Sequence, residues 1–193
     1  MRSQDNSPPD NRQVREESPV STNSSTARRV AISALFASLA LIFSYIEAIL
    51  PASPGIPGVK LGIANLVVMI AMYRLDLRYA LTINLIRIFL AGFMFSGLYG
   101  AIYSLCGCLV SFLVMCILKK SGLFSVIGVS MGGGVAHNLG QLCIAAVLVS
   151  SLEIFYYLPV LILSGTVSGI LIGWLGHVLL TYLPARMFFS KIP

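Results

Sequence analysis

Long apolar stretches separated by short polar connections dominate the chain from about residue 30 onward. Several stretches hold about 20 apolar residues, the length that an α-helix needs to cross the hydrocarbon core of a bilayer. Their hydropathy is continuous and lacks the strict alternation of a membrane β-strand. The pattern predicts an all-α, polytopic membrane bundle of six helices, which lie at residues 30–50, 59–73, 77–96, 98–118, 123–151 and 155–183.

Composition supports a membrane protein and divides the chain into a domain with two tails. Hydrophobic residues make up 57% of the 193 residues and charged residues only 10%, whereas a soluble domain carries about 25% charged residues. Residues 1–29 are polar and without apolar periodicity, which predicts a disordered cytoplasmic tail. Residues 30–185 are predicted to form the transmembrane domain, and residues 186–193 a short basic cytoplasmic tail.

Basic residues occur at every second connection between the predicted helices. They are Arg28 and Arg29, Arg74 and Arg78, Lys119 and Lys120, and Arg186 and Lys191. The other connections carry almost no charge. By the positive-inside rule, both termini are predicted to lie in the cytoplasm, with the helices in a bacterial cytoplasmic membrane. This arrangement accounts for the net charge of +6 without a nucleic-acid partner.

Strongly polar side chains interrupt two of the apolar stretches. Arg87 lies about 15 Å along the third predicted helix at 1.5 Å per residue, and Asn84 shares its face. His137, Asn138 and Gln141 follow a triple glycine in the fifth helix. Unpaired polar groups are costly at this depth, so they should face a cavity or one another. We interpret them as ligand-binding residues. The alternatives are an internal ion pair or a set of helix-end carbonyls as partners of Arg87, and interhelical packing or a proton relay for His137.

Charged residues also flank the predicted connection between the first two helices. Glu47 lies near the outer end of the first helix, and Lys60 begins the second. The two side chains either pair with each other or contact a ligand. Residues 51–58 hold three prolines and two glycines, which predicts a non-helical outer loop able to cap a pocket.

Small side chains recur at helical spacing along the first predicted helix, at Ser33, Ala37, Ala40, Ser44 and Ala48. Such a stripe lets another helix approach closely. It meets either the protein's own bundle or a partner subunit, and the second alternative predicts a docking face.

The sequence lacks the motifs that are typical of several kinds of chemistry. There is no phosphate-binding loop of the ATPase type, and the three aspartates, Asp5, Asp10 and Asp76, do not cluster. No Cys/His set has metal-site spacing. We therefore expect no cofactor, no metal and no catalytic activity by this chain alone, so that another polypeptide must supply energy coupling or catalysis.

Three segments carry a family resemblance: Gly-Val-Lys-Leu-Gly-Ile-Ala-Asn at residues 58–65, Arg-Ile-Phe-Leu-Ala-Gly at 87–92, and Gly-Val-Ala-His-Asn-Leu-Gly-Gln-Leu at 134–142. Over residues 30–183 the chain resembles the Gx transporter family, also labelled heptaprenyl diphosphate synthase component I. That family is similar to the S components of energy-coupling-factor transporters, six-helix proteins whose first outer loop closes over a small vitamin-like ligand.

The resemblance implies more than one function. As an S component, the chain would bind its ligand beneath loop 51–58 and dock to a coupling subunit through the stripe on the first helix. The synthase label implies a noncatalytic partner in menaquinone side-chain synthesis. Relatives that accompany flavin- and electron-transfer proteins imply a quinone- or redox-linked role. In each case the candidate binding residues, for a vitamin-like, quinone or isoprenoid-related ligand, are Glu47, Lys60, Asn65, Asn84, Arg87, His137, Asn138 and Gln141.

Overall fold

The computed structural model describes residues 20–49 and 62–183, which form helices joined by short turns. The helices are α1 (Val20–Ile49), α2 (Ile63–Arg74), α3 (Leu77–Ala91), α4 (Gly97–Ser121), α5 (Val126–Val149) and α6 (Leu158–Tyr182). A π-helical segment, Gly92–Ser96, joins α3 to α4, and a 3-10 segment, Leu152–Tyr157, precedes α6. Since no strand occurs in these ranges, the predicted all-α class is confirmed.

The sequence predicted six helices, and the number of separate helical runs in the structure does not support this count. The described residues form five such runs, because the π segment makes Leu77–Ser121 continuous. Four runs are long and apolar enough to cross a membrane, whereas α2 has 12 residues. At 1.5 Å per residue α2 extends about 18 Å, less than a hydrocarbon core of about 30 Å. The structure therefore defines a helical, multi-pass membrane protein.

The run Leu77–Ser121 folds back on itself after the π segment. Gly97 has φ +68° and ψ 177°, a conformation that favours glycine. A Cβ placed on Gly92 would lie 2.5 Å from Cβ of Ala101, although residues nine apart in a straight helix are about 13.5 Å apart. Thus α3 and α4 form an antiparallel hairpin, with its turn at the π segment and Gly97.

The first helix begins earlier than the sequence predicted. We expected residues 1–29 to be a disordered tail, but α1 starts at Val20, so the prediction is corrected for residues 20–29. Extending an existing helix adds one backbone hydrogen bond per residue without a new nucleation cost. This extension carries α1 through polar residues beyond the apolar stretch. The remainder of both predicted tails, residues 1–19 and 186–193, lies outside the described residues.

The end of α2, the start of α3 and the ends of α4 and α6 lie together. We call this side of the molecule the basic end of the bundle. It holds Arg28, Arg29, Arg74, Arg78, Lys119 and Lys120. The Arg29 guanidinium pairs with Asp76 at 3.2 Å. The Lys119 ammonium donates to the Met72 carbonyl at the end of α2, and the Arg74 guanidinium donates to the Leu180 carbonyl at the end of α6. Cations at helix C-termini are favourable because the carbonyls there carry partial negative charge.

The interior is built around α2 and the pair α5–α6. Eight of the twelve residues of α2 are buried, and α1, α3 and α6 pack around it. Helices α5 and α6 approach closely at glycines: a Cβ on Gly134 would lie 2.4 Å from the Gly165 carbonyl oxygen. Glycine contacts of this kind bring membrane helices together where larger side chains would hold them apart.

Candidate ligand-binding site

Arg87 is buried in the bundle and hydrogen-bonds only to neutral groups. Its guanidinium donates to Asn84 Oδ1 at 2.8 Å, to Ser44 Oγ at 3.1 Å and to Cys108 Sγ at 3.1 Å. The side chain is 8% exposed, and its Nε has no hydrogen-bond partner among the described residues. No carboxylate of the described chain lies within ion-pair distance of Arg87, so the predicted alternative of an internal ion pair receives no support here.

The Arg87 side chain lines a cavity of about 780 Å³ between the helices, part of which is open to solvent. All six helices contribute to its wall. The polar lining residues are Ser44, Glu47, Asn65, Arg87, Ser96, Ser104, Cys108, His137, Asn138 and Ser168. Small-molecule sites combine an apolar wall with a few placed polar groups, which is the composition of this cavity.

Five of the predicted binding residues therefore share one cavity: Glu47, Asn65, Arg87, His137 and Asn138. Their convergence follows from the fold. Arg87 lies about 15 Å from the start of α3 and His137 about 17 Å from the start of α5, and both helices start on the side of the basic end. The two side chains consequently reach the same depth of the bundle.

His137 and Cys108 extend the polar wall beside Arg87. The two side chains lie beside each other, and Nδ1 of His137 is buried without a hydrogen-bond partner within the described structure. Neither Cys108 nor Ser104 was among the binding residues predicted from the sequence, although both line the cavity. The signal was available: Gly100, Ser104 and Cys108 recur every four residues on α4 and share a small, polar face.

Asn138 combines a cavity position with a structural role. Its Nδ2 donates to the Leu161 carbonyl at 2.7 Å and to Ser164 Oγ at 3.2 Å. These bonds join α5 to α6 near the Gly134–Gly165 contact. Because the amide nitrogen is satisfied by α6, Asn138 holds the wall of the cavity as well as lining it.

Asn84 and Gln141 lie behind the cavity and do not line it. Asn84 is 4% exposed and accepts a bond from Arg87, so it positions the guanidinium. Gln141 is 2% exposed, and its Nε2 has no partner among the described residues. A Cβ on Gly107 of α4 would lie 2.6 Å from Gln141 Cγ, which places Gln141 in the α4–α5 contact.

Glu47 stabilises the start of α2. One of its carboxylate oxygens accepts a hydrogen bond from the Ile63 backbone amide at 2.6 Å, so a side chain of α1 caps α2 at a helix end where negative charge is favourable. Gly62, the residue before the helix, makes no side-chain cap of its own. The predicted alternative of a Glu47–Lys60 pair, and the predicted loop 51–58, involve residues that lie outside the described ranges.

The stripe of small residues on α1 faces the interior of this chain from Ser33 to Ser44, whereas Ala48 at its end is exposed. Ala37 is 7% exposed and Ala40 is fully buried, Ser44 lines the cavity, and the Ser33 hydroxyl is buried. A side chain that is buried in its own bundle has no surface left for a partner. The structure thus favours packing within the bundle, one of the two alternatives that the sequence left open, and leaves docking as a prediction without support from exposure.

These features define a multi-pass helical membrane protein with a polar, ligand-sized cavity in its interior. The chain belongs to the family described as heptaprenyl diphosphate synthase component I, whose profile matches residues 36–179. The match covers α2 to α5 entirely, the second half of α1 from residue 36 onward and most of α6, and it confirms the resemblance found in the sequence motifs. No curated protein and no solved structure matches the chain.

Proposed function

We propose that the protein is a membrane-embedded ligand-binding subunit of a transporter, similar to an S component, and that its ligand is small and carries an anionic or strongly polar group. The observation that carries the proposal is the Arg87 guanidinium, which faces the cavity and contacts only neutral partners. A carboxylate or phosphate group bound there would supply the missing negative charge.

The energetic case rests on the cost of an uncompensated charge. An arginine at the centre of a membrane helix costs about 2.5–3.5 kcal/mol on insertion scales. Asn84, Ser44 and Cys108 satisfy three donor interactions of Arg87 but leave its net charge in place. Guanidinium groups bind carboxylates and phosphates with two parallel hydrogen bonds, which makes this position suited to an anionic ligand.

The other polar groups of the cavity can orient a ligand through hydrogen bonds. His137, whose buried Nδ1 has no partner among the described residues, and Asn65 line the same cavity as Arg87. Glu47 also lines it, but its charge lies against the N-terminus of α2 through the bond to Ile63. The wall is therefore cationic at Arg87, with hydrogen-bonding groups around it.

Transport requires components that this sequence does not encode. Since no ATPase-type phosphate-binding loop is present, energy would come from a separate ATPase and its coupling subunit. To test this, the protein is purified from its native membrane in mild detergent, and bound small molecules and accompanying proteins are identified by mass spectrometry. We expect an anionic or polar small molecule together with an energy-coupling ATPase. A prenyl synthase as the accompanying protein would contradict the transporter proposal.

A second candidate is a noncatalytic membrane component of a prenyl diphosphate synthase, favoured by the description of the matched family. Here the cavity would contact the diphosphate group of an isoprenoid, and the catalytic aspartates would belong to another subunit. The same purification separates the two candidates, because a synthase subunit would accompany the protein in this case. A flavoprotein would instead indicate the electron-transfer role.

The proposal includes six membrane crossings in a bacterial cytoplasmic membrane, with both termini in the cytoplasm. The α3–α4 hairpin supports separate crossings by these two helices. The gathering of four helix ends at the basic end agrees with the positive-inside rule. In this orientation Glu47 and the start of α2 lie toward the outer face, so the cavity opens outward.

Cysteine labelling tests this orientation. In a background with the exposed Cys143 replaced by serine, we expect a membrane-impermeant maleimide to label Ser150→Cys in intact cells. We expect Lys120→Cys, at the basic end, to react only after permeabilisation. Both positions are exposed, so access depends on the side of the membrane. Labelling of Lys120→Cys in intact cells would reverse the proposed orientation.

A further inference from the structure

A second, smaller cavity continues from the ligand-binding cavity into the bundle. Its volume is about 310 Å³. Gly62, Asn65, Gly134 and Ser168 line both spaces, so the two cavities meet along a shared wall. The smaller cavity extends along α2 and α6 toward the basic end, as far as Met69 and Ile172.

The wall changes character between the two cavities. Arg87, His137 and Glu47 line only the larger one, and no charged residue lines the smaller one. The large side chains of the smaller cavity are Met69, Met115 and Ile172, which are buried and apolar. The space is therefore polar around Arg87 and apolar along its continuation.

Three serines line the smaller cavity, Ser111, Ser130 and Ser168, and two of their hydroxyl groups are bonded to backbone carbonyls. Ser111 Oγ donates to the Gly133 carbonyl at 2.8 Å, and Ser168 Oγ donates to the Gly165 carbonyl at 3.4 Å. Neither donor is available to a ligand in this arrangement. Methionine side chains are flexible and adapt to irregular apolar shapes, so Met69 and Met115 suit contact with a slender hydrocarbon group.

We propose that the ligand is amphipathic: its anionic group binds at Arg87, and a short apolar extension occupies the smaller cavity beside Met69, Met115 and Ile172. This inference rests on the proposed function and adds the chemical class of the ligand. The limited size of the smaller cavity selects a short extension, which distinguishes such a ligand from a long prenyl chain.

Two series of probes of increasing chain length test the inference. The first contains inorganic phosphate and methyl, propyl and butyl phosphate, and the second contains the carboxylates from acetate to pentanoate. Binding is measured calorimetrically on the full chain in lipid nanodiscs, with empty nanodiscs as the partition control. Since each buried methylene is worth about 0.8 kcal/mol, affinity is expected to rise by up to about fourfold per methylene, and then to level off once the smaller cavity is full.

Substitutions at Ile172 test whether the gain in affinity with chain length arises in the smaller cavity. Ile172→Phe fills the smaller cavity, so the affinity ratio of butyl to methyl phosphate, or of pentanoate to acetate, should fall to about one. Ile170→Phe, the matched change on the exposed side of α6, should keep the ratio of the unmodified protein. If Ile172→Phe fails to fold by size-exclusion chromatography, Ile172→Ala serves instead. It enlarges the cavity and should move the levelling-off to longer chains.

The outcomes separate this inference from the proposed function. If short anions bind and Arg87→Ala abolishes that binding, but affinity does not change with chain length, the amphipathic ligand is excluded and the proposed function stands. A chain-length gain that persists unchanged in both Ile172 variants also excludes it. If no member of either series binds, the proposed function fails together with the inference.

Discussion

Replacing Arg87 with alanine is expected to weaken ligand binding by more than tenfold. Hydrogen bonds to charged groups contribute about 1.5–3 kcal/mol each, and 1.4 kcal/mol corresponds to a factor of ten in affinity. Losing even one bond from the guanidinium to an anionic ligand therefore exceeds the tenfold threshold. The measurement is the dissociation constant of the ligand that accompanies the purified protein, or of the short anions described above.

Stability distinguishes a binding role of Arg87 from a structural one. The substitution removes a buried charge that has no carboxylate partner in the described structure, although it frees Asn84 and Ser44. Without ligand, we expect the thermal unfolding temperature to be unchanged or raised. A guanidinium that only held the helices together would lower it instead.

Arg78→Ala is the matched control, because Arg78 lies on the same helix but is exposed at the basic end. This variant should bind ligand normally. Unchanged affinity in Arg87→Ala, with normal folding, would remove Arg87 from the site and with it the main support for the proposed function.

Gly134→Ala is expected to cause the largest loss of stability among single-methyl additions at the α5–α6 contact. The new Cβ would lie 2.4 Å from the Gly165 carbonyl oxygen, and the obstacle is backbone that cannot rotate away. Overpacking of this kind costs about 1–3 kcal/mol, which corresponds to roughly 2–12 °C in unfolding temperature for a chain of this size. Thermal unfolding in detergent, followed by circular dichroism, measures it.

Gly128→Ala provides the comparison on the same helix. Its Cβ would lie 3.4 Å from Phe124 Cδ1, an ordinary contact with a side chain. Alanine is favoured over glycine in a helix by about 1 kcal/mol, so this variant should unfold at the same or a higher temperature. Equal effects of the two substitutions would show that the close backbone approach of α5 and α6 does not limit stability.

The helical class and most of the cavity residues could be predicted from the sequence. Both predictions depend on where polar residues occur within long apolar stretches. A charged or hydrogen-bonding side chain in an apolar membrane helix must face the interior of the bundle, because lipid offers it no partner. The sequence positions of Arg87, His137 and Asn138 were therefore enough to assign them to one interior site. Helical spacing also placed Asn84 on the face of Arg87, and the two side chains do bond.

What the sequence could not supply was the pairing between helices. The Glu47 carboxylate bonds to the amide of Ile63, a contact that depends on how α1 and α2 are positioned and not on any local pattern. Likewise, a stripe of small residues is equally compatible with a partner and with the same chain, and only burial shows that Ala37 and Ala40 face inward. The helical run Leu77–Ser121 could not be predicted either, because π-helical hydrogen bonding across residues 92–96 has no sequence signature here.

The enclosure of α2 has a consequence for the biogenesis of the protein. Because α2 is buried along most of its length, almost none of its surface contacts lipid. Contact with lipid therefore stabilises the inserted helix very little, and its stability depends on the neighbouring helices. Met69 and Leu66 of α2 pack against Gly176 of α6, a helix that is synthesised after α2. Before α6 arrives, α2 lacks one of its walls, and both cavities lack part of theirs. Both cavities are thus complete only once α6 has joined the bundle.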